Sequence, residues 1–166
     1  KLIIKSYKMQ RDNAIRDITQ ENTLEEIIKS CKTCHVGMVD LNNMPYVLGF
    51  NFGYKDKTIY LHCALEGKKI EILKKNSNVC VYFDADHKVF SRHEQVACSW
   101  RMRYRSVMIN GKAEFIEDYD QKVEGLKIMM GNYSEQEFKF SKPAVNNINV
   151  IRIKIDNWSG RSFEYV

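Results

Sequence analysis

Two prolines and eight glycines in 166 residues are too few for a flexible linker, and no low-complexity tract interrupts the chain. No segment repeats elsewhere in it. No apolar run approaches the roughly 20 residues that a membrane-spanning helix needs, so no membrane partner is expected. The opening stretch Lys1 to Lys8 holds the triplet Leu2-Ile3-Ile4, but no signal-peptide core or cleavage site follows it. A cytoplasmic location is therefore expected, and the five cysteines, an odd number, are expected to be free thiols. The net charge of +5 comes from 26 Lys and Arg against 21 Asp and Glu, scattered along the chain. This excess favours anionic ligands weakly and lacks the concentrated basic stripe of a nucleic-acid footprint. Neither G-x-G-x-x-G nor a P-loop pattern occurs.

What is present suits one folded unit. Hydrophobic residues make up 44% and charged residues 28%, an ordinary globular balance. A chain of this length can bury roughly 70% of its unfolded surface. A single domain over 1–166 is expected, with residues 1–20 as an N-terminal arm.

Periodicity predicts the elements. Thr23-Leu24-Glu25-Glu26 has the form of a capping box, and Leu24, Ile27, Ile28 and Cys31 follow at helical spacing, which predicts a helix from Thr23 to Thr33. A strand His35 to Asp40 and a turn Leu41 to Pro45 come next. Tyr46, Leu48, Phe50, Phe52 and Tyr54 alternate with small or polar residues and predict one strand. Glycine inside such a strand marks close approach of a ligand or another backbone. Further strands are predicted at Thr58 to Cys63, Val79 to Ala85, Tyr104 to Glu117 (with a bend near Gly111) and Val150 to Asp156. Helices are predicted at Gly67 to Asn76 and Tyr119 to Tyr133. Asp86 to Ser99 reads as a long polar loop, a length that is often functional. About six strands joined by short links predict a mainly β fold with flanking helices, an antiparallel barrel.

Two stretches carry candidate chemistry. In Ile59 to Lys69 a strand runs through His62 and Cys63 to Gly67, then to Lys68 and Lys69 in the first turn of a helix. The helix dipole disfavours cations there, whereas a bound phosphate would reverse that sign; two solvated lysines are the alternative. In Tyr104 to Gly111, Arg105 and Ser106 could grip a phosphate or a polar ring edge, or the arginine could pair with a neighbouring carboxylate.

Cys31-Lys32-Thr33-Cys34-His35 matches the c-type haem attachment pattern. The pattern spans a helix end and a strand start, and both cysteines lie at the wrong helix terminus for a redox pair. A zinc site there lacks a fourth ligand. His87, His93 and Cys98 could meet a metal in the polar loop, although exposed histidines are the default. No metal site is assigned.

At the two candidate stretches the sequence resembles the pyridoxamine 5'-phosphate oxidase-like FMN-binding split barrels, most closely the Nim branch of 5-nitroimidazole resistance proteins. The matching residues are Met44-Pro45-Tyr46-Val47 to Asn51-Phe52-Gly53-Tyr54, Ile59 to Ala64 with Glu66 to Lys69, and Leu73 to Asn76 with Val79-Cys80. They continue with Tyr104 to Val107, Gly111 to Glu114 and Trp158 to Arg161. The resemblance covers roughly Arg11 to Arg161. It implies a six-stranded antiparallel split β-barrel that forms a homodimer with FMN at the subunit interface. It implies that Val47, Leu48, Gly49, Phe50 and Asn51 run along the flavin. His62 and Cys63 would touch the cofactor, Lys68 and Lys69 would take its phosphate, and Arg105 and Ser106 would reach it from the long strand. His62 would be the catalytic candidate.

The departures also carry information. Lys68-Lys69 stands where the oxidase usually has Arg-Lys, and Ser106 where it has an amide. The oxidase's C-terminal substrate-binding arginine and histidine have no counterpart in Asp156 to Val166. The resemblance therefore implies an FMN-dependent oxidoreductase other than a true pyridoxamine 5'-phosphate oxidase. It would reduce a small acceptor such as a nitroaromatic, with NADH or NADPH as donor. A non-catalytic flavin-binding module and a haem-binding relative are the alternatives.

Overall fold

The structure is a computed structural model that describes residues 15–164. Its eight strands are β1 (Ile15–Ile18), β2 (Cys34–Val39), β3 (Pro45–Phe50), β4 (Gly53–Lys55), β5 (Thr58–Cys63), β6 (Asn78–Ser91), β7 (Trp100–Ile116) and β8 (Asn149–Phe163). Four α-helices accompany them: α1 (Glu21–Ser30), α2 (Lys68–Lys75), α3 (Tyr119–Gly131) and α4 (Lys142–Asn146). Every pairing is antiparallel. The strand order is β3-β2-β6-β7-β8-β5-β4, with β1 also on β8. The fold is thus mainly β, an antiparallel sheet that is not closed, as a split barrel requires. It has eight strands rather than the expected six, because β1 lies in the expected arm and the strand expected at Tyr46 to Tyr54 is broken in two.

The sheet encloses one large core. Val36, Val81, Phe83, Val107, Ile109, Ile59, Leu61, Ile151 and Ile153 are almost wholly buried there, together with Leu24, Ile27 and Ile28 of α1. Alternation along each strand accounts for this inward set. A second, smaller core lies where Leu126 and Met129 of α3 and Val145 of α4 meet Val150 and Ile116. Among the described residues no helix is long and apolar enough to cross a membrane.

Several local expectations need correction; the last strand, for one, runs on to Phe163 where the sequence predicts an end at Asp156. Helix α1 begins at Glu21, because the Gln20 carbonyl accepts from Leu24 N–H, and Thr23 makes no side-chain cap. It ends at Ser30, where Cys31 turns extended. The polar segment after Ala85 begins as strand: past an irregularity between Ala85 and Lys88, residues Lys88 to Ser91 pair with Trp100 to Arg103 as a projecting hairpin. The continuous strand is broken because Asn51 and Phe52 leave the ladder. The bend near Gly111 is present, as a register shift between Asn110 and Gly111 against β8.

The break at Phe52 is tightly specified. Phe52 is fully buried edge-to-face on Phe83, with ring centres 4.9 Å apart. Its N–H donates to the Tyr133 hydroxyl at 2.8 Å, and Asn132 Nδ2 donates to its carbonyl at 3.3 Å. The Tyr133 hydroxyl in turn donates to the Lys32 carbonyl at 2.7 Å. Gly53 then passes directly under α3, where a Cβ would sit 2.6 Å from the backbone of Met129.

Cys31, Cys34 and Cys63 are buried, whereas Cys98 is exposed. Burial pushes the Cys34 thiol up to about 12, so it stays protonated and unreactive at neutral pH.

This packing has two testable outcomes. Gly53→Ala should lower unfolding stability by about 1–3 kcal/mol, the usual cost of overpacking against an unyielding neighbour, as read from urea denaturation. Alkylation of the native protein should label Cys98 and leave Cys34 unlabelled; mass mapping that finds Cys34 modified at a comparable rate would contradict the burial.

Candidate functional site

Among the described residues, strand β3 sits at an edge of the sheet and pairs with β2 alone. Alternate backbone N–H and C=O groups along its free side therefore have no ladder partner, as on any edge strand. Tyr46, Leu48 and Phe50 lean on the core, while Val47 and Gly49 face outward. Val47 is 59% exposed, and a Cβ built on Gly49 would meet nothing within 4 Å. The glycine that alternation singled out thus leaves backbone accessible in open space. At Gly53, by contrast, the close approach is that of α3.

Asn51, just past β3, and His62 of β5 line one cavity of about 390 Å³. Its apolar wall is Leu126, Met129, Met130 and Val145, and its polar rim includes Tyr133, Lys139 and Ser141. His62 points out of the barrel, opposite Val150 in the ladder. Cys63, its neighbour, points inward, and burial raises its thiol while the Lys69 charge opposes that rise.

The basic pair opens α2 directly after Gly67, whose φ of 120° suits a residue without a Cβ. The two lysines diverge. Lys68 lies 3.3 Å from Asp40 and beneath the Tyr46 ring, whereas Lys69 is half-buried on the Cys63 side.

Arg105 and Ser106 lie elsewhere. Ser106 is buried on β7 between Asp84 of β6 and Arg161 of β8. Arg105 pairs with Asp86, the carboxylate partner that one reading of the sequence allowed. The ladder gives the separation: His62 stands opposite Val150, and Val150 opposite Ile116. From Ile116 back to Ser106 is ten residues of β7, a path along the bent strand on the order of 30 Å at about 3.3 Å per residue. Within one chain the candidates therefore form two groups. Asn51 shares the cavity of His62, Lys69 lies on the Cys63 side and Lys68 at the head of β3, while Arg105 with Ser106 stands apart on β7; β3 lies between, with Gly49 level with Met108 through His35 and Tyr82.

The outer face of the sheet between these groups is apolar and open. Val47, Tyr82 and Met108 are exposed on it, and Met102 and Trp100 are exposed further along β7. Nearby, Arg103 Nε is buried with no hydrogen-bond partner among the described residues, its guanidinium 4.6 Å from the Phe90 ring centre.

Other motifs do not assemble. Cys34 points inward and His35 outward on β2, so they cannot share a metal ion. His87 pairs with Asp84 at 3.1 Å, and among the described residues no three metal-binding side chains gather. Sequence reasoning missed Lys139, Phe140, Ser141 and helix α4, although Ser141-Lys142-Pro143 carries a helix-start signal with proline in the first turn.

Comparisons with known proteins agree with this fold. The model of the family described as pyridoxamine 5'-phosphate oxidase matches residues 20–162. A Bacteroides thetaiotaomicron protein provisionally described as a 5-nitroimidazole antibiotic resistance protein is 40% identical, with a TM-score of 0.81 over 90% of this chain and 89% of that one. An FAD and haem binding protein from Mycobacterium smegmatis is 18% identical, with a TM-score of 0.78 over 90% of this chain and 74% of its own. A flavocytochrome from Azotobacter vinelandii is 22% identical, with a TM-score of 0.74 over 88% and 68%. These last two share the fold. The curated proteins yielded no match. With a family match over nearly all the described residues and a 40% identical relative aligned across 90% of this chain, the chain belongs to the pyridoxamine 5'-phosphate oxidase family.

Proposed function

We propose that two copies of this chain bind FMN at their interface and use it to reduce a small oxidised acceptor, a nitroaromatic being the favoured class, with NADH or NADPH as donor. The observation that carries the reading is the division of the candidate residues. In the same chain Arg105 and Ser106 lie ten or more residues along β7 from the level of His62. A two-fold partner brings the second group of one chain to the first group of the other. The exposed apolar sheet face with Val47, Tyr82 and Met108 is the kind of surface that such a partner covers. The unpartnered Arg103 donor lies on the same long strand as Arg105.

The residues present fit a flavin. The free side of β3 offers backbone donors and acceptors to a ring edge, and Gly49 leaves room for the ring to approach. The start of α2 adds unpaired N–H groups and cationic side chains for a phosphate. Bound FMN would supply the redox chemistry. The chain's part is to orient it, to exclude water with the apolar cavity wall, and to hold or deliver a proton through His62, which faces that cavity. The M. smegmatis and A. vinelandii relatives, whose descriptions include flavin or haem, add weight to a cofactor in this fold.

Purified protein should show the two flavin absorption bands, bleach with NADH or NADPH and recover when a nitroaromatic is added. A Soret band in their place would assign haem, and stable flavin without bleaching would leave a binding module. Mixed dimers of a K68A/K69A chain and an R105A chain should hold one intact site and bind one flavin per dimer, while each parent homodimer binds weakly. Equal weakness in the mixed and parent dimers would place both residue groups in one chain's site.

A further inference from the structure

The two adjacent lysines have different surroundings, and the roles assigned to them rest on the flavin reading of this site. Lys68 Nζ is 3.3 Å from Asp40 Oδ2 and 4.9 Å from the centre of the Tyr46 ring. Asp40 is already committed to the turn between β2 and β3. Its Oδ1 accepts from the backbone N–H groups of Asn42 at 2.9 Å and Met44 at 3.0 Å. Its own backbone closes the same turn, donating to the Met44 carbonyl and accepting from Asn43, both at 3.0 Å. Those backbone N–H groups, more than Lys68, hold the Asp40 carboxyl below the usual carboxylate range. Through Asp40 and Tyr46, Lys68 ties the first turn of α2 to the turn that launches β3.

Lys69 faces a different environment. It is half-buried and forms no ion pair among the described residues. Its charge is felt at Cys63, on the strand end beside His62. A phosphate approaching α2 therefore meets one ammonium whose charge is balanced by a nearby carboxylate, and one that is unbalanced. The Asp40 charge also repels a dianion drawn toward Lys68.

We propose that Lys69 alone of the pair binds the flavin phosphate. Lys68 is a positioning residue that clamps the β2–β3 turn, and with it the edge strand under the flavin ring, to the start of α2. The lysines then affect different parts of the ligand: Lys69 acts on the phosphate, and Lys68 acts through β3 on the ring.

Titration with FMN and with riboflavin, which lacks the phosphate, separates these roles. K69M should weaken FMN about tenfold or more and leave riboflavin unchanged. K68M, which keeps the aliphatic stem over Tyr46, should weaken both flavins by the same factor. D40N, whose amide oxygen can still accept from the turn, should do likewise, and D40N/K68M should be no weaker than the weaker single variant. K68R should restore both affinities, since a guanidinium can pair with Asp40 and stack on Tyr46. The proposal is overturned if K68M costs FMN affinity alone, or if D40N tightens FMN by releasing Lys68 to the phosphate. Wild-type protein that binds neither flavin defeats the flavin reading itself, and the phosphate assignment falls with it. That outcome is seen before any variant is compared.

Discussion

The fold around the candidate site depends on how the chain leaves the sheet at Phe52. A strand that breaks inside a core strands two backbone groups, and each costs about 1–3 kcal/mol if left unpaired. Here the end of α3 supplies both partners, Tyr133 for the N–H and Asn132 for the carbonyl. Because Tyr133 also donates to Lys32, the same hydroxyl joins the segment after α1, the β3–β4 break and the end of α3. This three-way tie places Asn51 at the cavity mouth and keeps the wall of α3 opposite His62. Without it, β3 and β4 would have no reason to part, and Asn51 would remain one more residue in a ladder.

The second constraint is the length of β7. Its seventeen residues pair with β6 on one side and β8 on the other. A strand that long outruns the barrel core: its far half carries the hairpin with Trp100 and Met102, and its near half holds Val107 and Ile109 in the core. Arg105 and Ser106 fall at the junction between these regimes, where Asp84, Asp86 and His87 also cluster. The junction is polar because it is where the large core ends.

Legibility in the sequence tracks burial. Strand β5 and the inward set of β8 are readable because Ile59 and Leu61 flank the less buried Tyr60, and Ile151 and Ile153 flank the less buried Arg152. The hairpin beyond Ala85 reads as a loop because no core lies beneath it, and so Lys88 to Ser91 show no apolar alternation although they pair in a ladder. The start of α1 is displaced from its expected position because the helical bond from Leu24 N–H to the Gln20 carbonyl puts Thr23 inside the helix, where its hydroxyl caps nothing. Of the site, the glycine-bearing strand and the glycine-led basic pair are readable from local pattern, whereas the place of β3 at the sheet edge is not. The distance between Arg105 and His62 is not, since it depends on the register of two strand pairings far apart in sequence. Nor is the split role of Lys68 and Lys69, since Asp40 reaches Lys68 only through the fold.

The bare rim of β3 has a consequence for the newly made chain. An unpaired edge flanked by the exposed side chains of Met44 and Val47 invites a neighbouring molecule to add its own edge, the first step of strand-to-strand stacking. Proline at the head of β3 removes one donor from that row, a modest guard. A ligand lying along the strand would shield the remainder, so a cell that makes this polypeptide faster than it makes the ligand would accumulate the sticky form.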